Sequence, residues 1–367
     1  MRLNGAAIGA ALSLMLLALP LPSNSVLGQD RPTAPASITV GSDGSVEIPA
    51  QSVPMSIYLS PEAQAYVTKH LQDMQNPQML KGEGGVPRFM KPYLDRDYEE
   101  FPLDKKDTTI AGVHAFIYTP KAGVPARNKH RVLIDLHGGG FSGCWPACAE
   151  LESIPVSSLG QIEVISLDYR EAPANKFPAA SEDVASVYRE LLKTHNAKEI
   201  GIYGCSAGGM LTAESMAWFQ AHALPAPGAI GILCASASGT FGGDSSYTAN
   251  WLGEARMPAG ARGASVRGGP ARPGYFDGAN MKDPLISPVD SPEVLAKFPP
   301  TLVVTGTRGF EMSSAVYTHS RLVKAGVDAE LHVWEGLFHG FFYNADVPES
   351  KDCFNVILKF FDNHLAQ

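Results

Sequence analysis

Residues 199–213, EIGIYGCSAGGMLTA, constrain this chain more than any other stretch. An apolar run at 200–203 leads into Gly204-Cys205-Ser206-Ala207-Gly208-Gly209 and then into residues suited to open a helix. A serine with glycine two positions away on each side, set where a strand hands over to a helix, sits in a strained backbone that leaves its hydroxyl exposed above the sheet. Side chains at 204 and 208 would collide with the adjacent strand and helix, so both positions favour glycine. The pentapeptide taken alone also fits a plain structural turn or a phosphate cradle, and the rest of the chain decides among these.

On both sides of this stretch short apolar runs alternate with helical patterns. Residues 108–118 (TTIAGVHAFIY), 131–136 (RVLIDL) and 162–167 (IEVISL) read as strands, as do 199–203, 229–234, 300–305 and 329–334. Residues 60–79 open with serine-proline and carry apolar residues near helical spacing, and 179–193 carries the stripe Val184, Val187, Tyr188, Leu191 and Leu192. Further helices are expected at 207–221, 312–324 and 350–364. This rhythm predicts an α/β chain with a mostly parallel central sheet and helices on both faces. Residues 238–297, rich in glycine, proline and polar side chains, interrupt it and read as an irregular insertion above the sheet.

With 45% hydrophobic residues in 367, the chain can bury one large core or two modest ones. Its net charge of −8 argues against nucleic acid or an anionic membrane surface as the main partner and leaves small neutral substrates open. Residues 1–28, with Arg2, an apolar segment at 6–21 and then SNSVLGQD, have the layout of an export signal peptide. No later stretch is long and apolar enough to span a bilayer. The expectation is an exported protein, periplasmic or extracellular, with no stable membrane insertion after signal cleavage. Residues 29–98 then form an N-terminal extension or cap, and 99–367 the main domain. Five cysteines, an odd number, argue against a disulfide-dense scaffold. Cys144 and Cys148 are close enough in sequence to bridge if the segment between them is helical or tightly turned. A zinc reading of that pair lacks a second ligand pair, and Cys205 reads as packing. The sequence leaves assembly into a homo-oligomer open.

His137-Gly138-Gly139-Gly140-Phe141 follows the strand at 131–136. Successive glycines let backbone amides approach a ligand closely, where they stabilise the negative oxygen formed when an ester carbonyl is attacked. A glycine-rich surface turn is the plain alternative. Five further motifs stand in order with it: Asp168-Tyr169-Arg170 with Ala172-Pro173, Phe177-Pro178-Ala179-Ala180, the G-x-S-x-G at 204–208, Asp283-Pro284-Leu285, and Phe338-His339-Gly340-Phe341. As a set, over roughly residues 100 to 365, the chain resembles the hormone-sensitive-lipase-like group of α/β-hydrolase esterases.

That resemblance implies an α/β-hydrolase fold with a cap built from the N-terminal segment and the 238–297 insertion. It also implies a carboxylic ester hydrolase that prefers short to medium acyl chains and needs neither metal nor organic cofactor. Ser206 would be the nucleophile, His339 the general base, and the amides of Gly138, Gly139 and Ala207 the oxyanion hole. His137 and Gly140 would support the glycine loop, Asp283 its own loop, and Asp168 with Arg170 would form a buried pair holding the strand end and the glycine loop in place. Independently, His339 lies just past the strand at 329–334, where a loop at the carboxyl edge of the sheet is expected.

One position departs from the family. An aspartate usually follows the strand directly, as in GTRD, and here that position is Gly309. Glu311, two residues further on, is the favoured substitute; Asp328, Asp283 or the lack of any orienting acid are the alternatives. A chain without the acid would be an impaired homologue, or one that binds a small ligand without hydrolysing it. Trp145, Phe241, Tyr247, Trp251 and Tyr275 read equally as pocket liners and as ordinary packing.

Overall fold

Eight strands form one sheet: β1 (Leu103–Ile110), β2 (Val113–Pro120), β3 (Val132–Leu136), β4 (Glu163–Leu167), β5 (Ile200–Cys205), β6 (Ala229–Leu233), β7 (Thr301–Arg308) and β8 (Ala329–Phe338). Their spatial order is β8-β7-β6-β5-β3-β4-β2-β1. Only β2 runs against its neighbours; the other pairings are parallel. Every residue of β3, β5 and β6 is buried, as expected of parallel strands covered on both faces.

This computed structural model describes residues 38–255 and 274–366. The signal-peptide reading of 1–28 and the glycine-rich middle of the 238–297 insertion lie outside the described residues. Residues 38–52 belong to a unit separate from the sheet and carry a short antiparallel pairing of Thr39–Val40 with Val46–Glu47. The unit from Val53 onward carries the sheet.

The helices are α1 (Pro61–Gln75), α2 (Lys91–Glu100), α3 (Ala147–Gly160), α4 (Ala179–Leu191), α5 (Ala207–Ala221), α6 (Ser245–Glu254), α7 (Pro292–Leu295), α8 (Met312–Lys324) and α9 (Pro348–His364). Leu151 and Ile154 of α3 share one core with Phe354 and Ile357 of α9. Val184 and Tyr188 of α4, Leu211 and Phe219 of α5 and Leu322 of α8 belong to a second. The sheet thus separates two apolar layers. The serine-proline start of α1 works as read: Pro61 occupies the first turn and the Ser60 hydroxyl accepts from the Ala63 amide at 3.0 Å. The amide and hydroxyl of Ser60 also donate to Glu349 at 2.7 and 2.8 Å, tying α1 to the start of α9.

Several expectations are corrected. Residues 108–118 are not one strand. Ala111 and Gly112, at φ 50° and 87°, turn the chain back so that β1 and β2 pair as a hairpin. The insertion is not wholly irregular, because α6 and α7 lie within it. Helices α2 and α3 have no counterpart among the expected elements. In α3 the residues from Ala147 to Ser157 are all buried, so no polar face exists to give a helical stripe.

Candidate active site

Strand β5 ends at Cys205, α5 begins at Ala207, and Ser206 between them has φ 57° and ψ −120°, the strained turn expected of an exposed nucleophile. A methyl group on Gly208 would lie 2.8 Å from the His137 carbonyl oxygen and closer still to that of Leu136. The elbow and the glycine loop after β3 are therefore packed backbone against backbone.

A carboxylate fixes that contact. Glu152 of α3, 1% exposed, accepts from the Gly138 amide at 3.0 Å, from the Cys205 amide at 3.1 Å and from the Tyr343 hydroxyl at 2.6 Å. One side chain thus joins the glycine loop, the residue before Ser206 and the segment after His339. Burial raises its pKa, as does the nearby Asp135, whose own pKa burial pushes up to about 7 against the bonds from Ser166 and Ser153. The bond to Glu152 also corrects the expected oxyanion hole: the amide of Gly138 is spent inside the protein. Gly139 and Gly140 line the cleft instead, and among the described residues the amides of Gly139, Gly140 and Ala207 have no acceptor. Gly139, at φ 124°, passes so close to Gly143 and Cys144 that no side chain fits.

His137 is part of this scaffold. It is buried, donates from Nδ1 to the Gly138 carbonyl at 2.6 Å and stacks on Tyr169, whose hydroxyl donates to the His137 carbonyl at 2.6 Å. Burial depresses its pKa to about 4, so it stays neutral.

His339 directly follows β8 and lines the same cleft as Ser206, a cavity of about 470 Å³. Its Nδ1 bonds Glu311 Oε2 at 2.9 Å, and Glu311 Oε1 accepts from the Thr305 hydroxyl at 2.9 Å. The ring also packs over Phe310 at 4.4 Å. Burial disfavours the imidazolium, but the charge and hydrogen bond of Glu311, with smaller help from Cys234 and Glu254, hold its pKa up at about 9. Gly309 explains the shifted acid. A methyl group there would lie 2.8 Å from the Glu311 carboxyl carbon and 2.9 Å from Oε2. The carboxylate fills the space a side chain at 309 would need, reached from two residues further along.

The other residues nominated from the sequence fall elsewhere in the fold. Asp168 and Arg170 do not pair and are not buried. Asp168 bonds Nδ1 of His114 at 2.9 Å, while Arg170 bonds Asp183 at 2.8 Å and Glu182 at 2.9 Å, anchoring the start of α4; their side chains are 35% and 46% exposed. Asp283 caps its own turn, accepting from the Leu285 amide at 2.9 Å. None of the five nominated aromatics lines the cleft. Tyr66 of α1, Phe89 just before α2 and Tyr93 within it do so, together with Cys144 and Cys148, which form a disulfide. Cys205 is a buried free thiol whose pKa burial raises, consistent with packing. Cys234 Sγ lies within 4.8 Å of ligand atoms of both Glu311 and His339, a grouping able in principle to hold a metal. All three are engaged in hydrogen bonds, Cys234 accepting from the Gly340 amide at 3.3 Å.

Residues 133–343 match the alpha/beta hydrolase fold family. An acetyl-hydrolase from Streptomyces hygroscopicus is 27% identical over 234 residues, 63% of this chain and 75% of that protein. An esterase from Acinetobacter venetianus is 25% identical over 283 residues, 75% and 88% of the two. Among solved structures, a crystallised esterase superposes with a TM-score of 0.73 at 26% identity, covering 88% of this chain and 99% of its own. An esterase from the bacterial hormone-sensitive lipase family does so with 0.68 at 25%, covering 84% and 99%. The chain belongs to the α/β-hydrolase family and, within it, to the hormone-sensitive-lipase-like esterases.

Proposed function

We propose that this chain hydrolyses carboxylic esters of short to medium acyl chains through an acyl-enzyme on Ser206. His339 takes the serine proton as the hydroxyl attacks the ester carbonyl, the amides of Gly139, Gly140 and Ala207 hold the oxyanion, and His339 returns the proton to the departing alcohol. Water repeats the sequence on the acyl-enzyme. Glu311 keeps Nδ1 of His339 protonated, leaving Nε2 for the serine. The segment carrying α1 and α2 acts as the cap over the cleft, and the leader at 1–28 supports export to the periplasm or beyond.

The observation that carries this reading is the 2.9 Å bond from His339 to Glu311, with His339 and Ser206 lining one cleft. It removes the reason, raised by Gly309, to regard the chain as a ligand-binding homologue without turnover. The test is stoichiometric labelling with a serine-directed phosphonate alongside turnover of p-nitrophenyl butyrate. Both are expected in the wild type and absent from Ser206→Ala. A folded wild type that neither labels nor turns over would overturn the proposal.

A further inference from the structure

Among the described residues, the titratable groups lining the cleft besides Ser206, His339 and three tyrosines are His70 of α1 and Glu254 of α6. They sit among apolar and aromatic side chains; the catalytic roles proposed above do not use His70, and Glu254 enters them only as a minor charge acting on His339.

His70 is held rigidly. Its ring lies flat on Phe338, 3.7 Å away at an interplanar angle of 9°, and edge-on to Phe89. The residue is 6% exposed, and its Nε2 has no hydrogen-bond partner among the described residues. The nearest charge is Glu254 Oε1 at 3.9 Å, too far for a direct hydrogen bond. Buried nitrogens left in this state are uncommon, because a polar atom stripped of water without a partner is costly. A gap of this size suits one bridging oxygen, which at about 2.8 Å from each atom would accept from the Nε2 hydrogen and donate to the carboxylate. A hydroxyl can do both at once. An alkyl group can do neither and would displace the water that serves in its absence.

We propose that His70 and Glu254 form a hydroxyl-recognition subsite, so that the preferred substrates are esters bearing a free hydroxyl near the scissile bond, either on the acyl part, as in hydroxyacyl esters, or on the alcohol, as in partial esters of polyols. The inference rests on the ester-hydrolase reading and adds the substrate class. The fixed ring supplies direction, and Glu254 supplies the charge-assisted acceptor that distinguishes a donor hydroxyl from an ether or a methylene.

The test uses the full chain and two matched pairs: p-nitrophenyl 3-hydroxybutyrate against p-nitrophenyl butyrate, and 2-hydroxyethyl butyrate against ethyl butyrate. In at least one pair the hydroxylated ester should have a kcat/KM about tenfold higher or more, the discrimination available to a site with a polar group awaiting its partner. His70→Phe, which keeps the stack on Phe338, and Glu254→Ala should each bring that ratio close to one. A wild-type ratio near one in both pairs, with the plain esters turned over, means that water alone occupies the gap and overturns the subsite while the hydrolase reading stands. A preference that survives in both variants overturns it too. Failure of every ester, without phosphonate labelling of Ser206, brings down the underlying reading as well.

Discussion

Glu311→Gln should make His339 easier to deprotonate and yet slow the chemistry. In the wild type, burial presses the imidazole below its ordinary 6.5, and Glu311 leads the groups that lift it instead to about 9. At about 1.36 kcal/mol per unit, that net rise is on the order of 3 kcal/mol of preference for the charged ring. The neutral base that must accept the Ser206 proton is then about 1% of the free enzyme at pH 7 and half of it near pH 9, so kcat/KM climbs with pH to a limb near 9. Glutamine keeps the size of the side chain and removes its charge. Burial is left largely unopposed, and the limb should fall to 6.5 or below. The variant is thus mostly in its active protonation state at neutral pH, but it lacks the anion that fixes the tautomer and steadies the imidazolium of the transition state. Its plateau should drop by roughly 10²-fold or more. The measurement is kcat/KM for p-nitrophenyl butyrate across about pH 5 to about pH 10 in both proteins, corrected for spontaneous hydrolysis. A limb that stays near 9 in the variant would refute Glu311 as the group that charges His339, and an undiminished plateau would refute its orienting role.

The same pair makes a stability prediction. His339 has a raised folded pKa, so the stabilisation it draws from Glu311 is fully present below about 6.5 and is lost as pH rises through about 9. The Tm gap between wild type and Glu311→Gln should close over that window, and a gap independent of pH would contradict the linkage. Gly309→Ala places a methyl group in the space of the Glu311 carboxylate, and its kcat should fall by roughly 10-fold or more. Combining Gly309→Asp with Glu311→Ala, which returns the acid to the family's usual position, should recover part of the turnover lost in Glu311→Ala alone. Glu152→Gln turns an amide NH₂ toward either Gly138 or Cys205, leaving one buried backbone donor unmatched. It should lower kcat about tenfold with KM little changed, read from steady-state kinetics beside a melting curve that confirms folding.

What the chain disclosed in advance follows from how local each signal is. The parallel strands announce themselves as short apolar runs and the helix after β7 through its one-sided burial, whereas the helix after β5, buried nearly all round, is legible from the elbow that opens it, whose steric demands are confined to a few residues. Glu311 was visible as a candidate because it sits in the same loop as the vacant position. What singled it out over Asp328 and Asp283 was the space above Gly309, which depends on how β7 leaves the sheet. Asp168 and Arg170 misled for a related reason: both lie past the end of β4 at Leu167, and their partners, His114 on one side and Glu182 with Asp183 on the other, are set by how β2 and α4 pack beside that end.

Glu152 was the least legible member of the site and has the widest reach. Nothing in the spacing of α3 marks it, since that helix is buried nearly all round and a glutamate there reads as one more polar residue in an unpatterned stretch. Its role exists only once β3, β5 and the segment after β8 converge, because its bonds run to Gly138, Cys205 and Tyr343, which lie 14, 53 and 191 positions away. A buried carboxylate is costly unless its oxygens are satisfied, and here the donors that satisfy it belong to the two loops whose relative placement sets the distance between the serine and the oxyanion amides. Holding those loops to one carboxylate makes the spacing of nucleophile and oxyanion hole a consequence of core burial. That is the physical ground for expecting Glu152→Gln to act on kcat and not on KM.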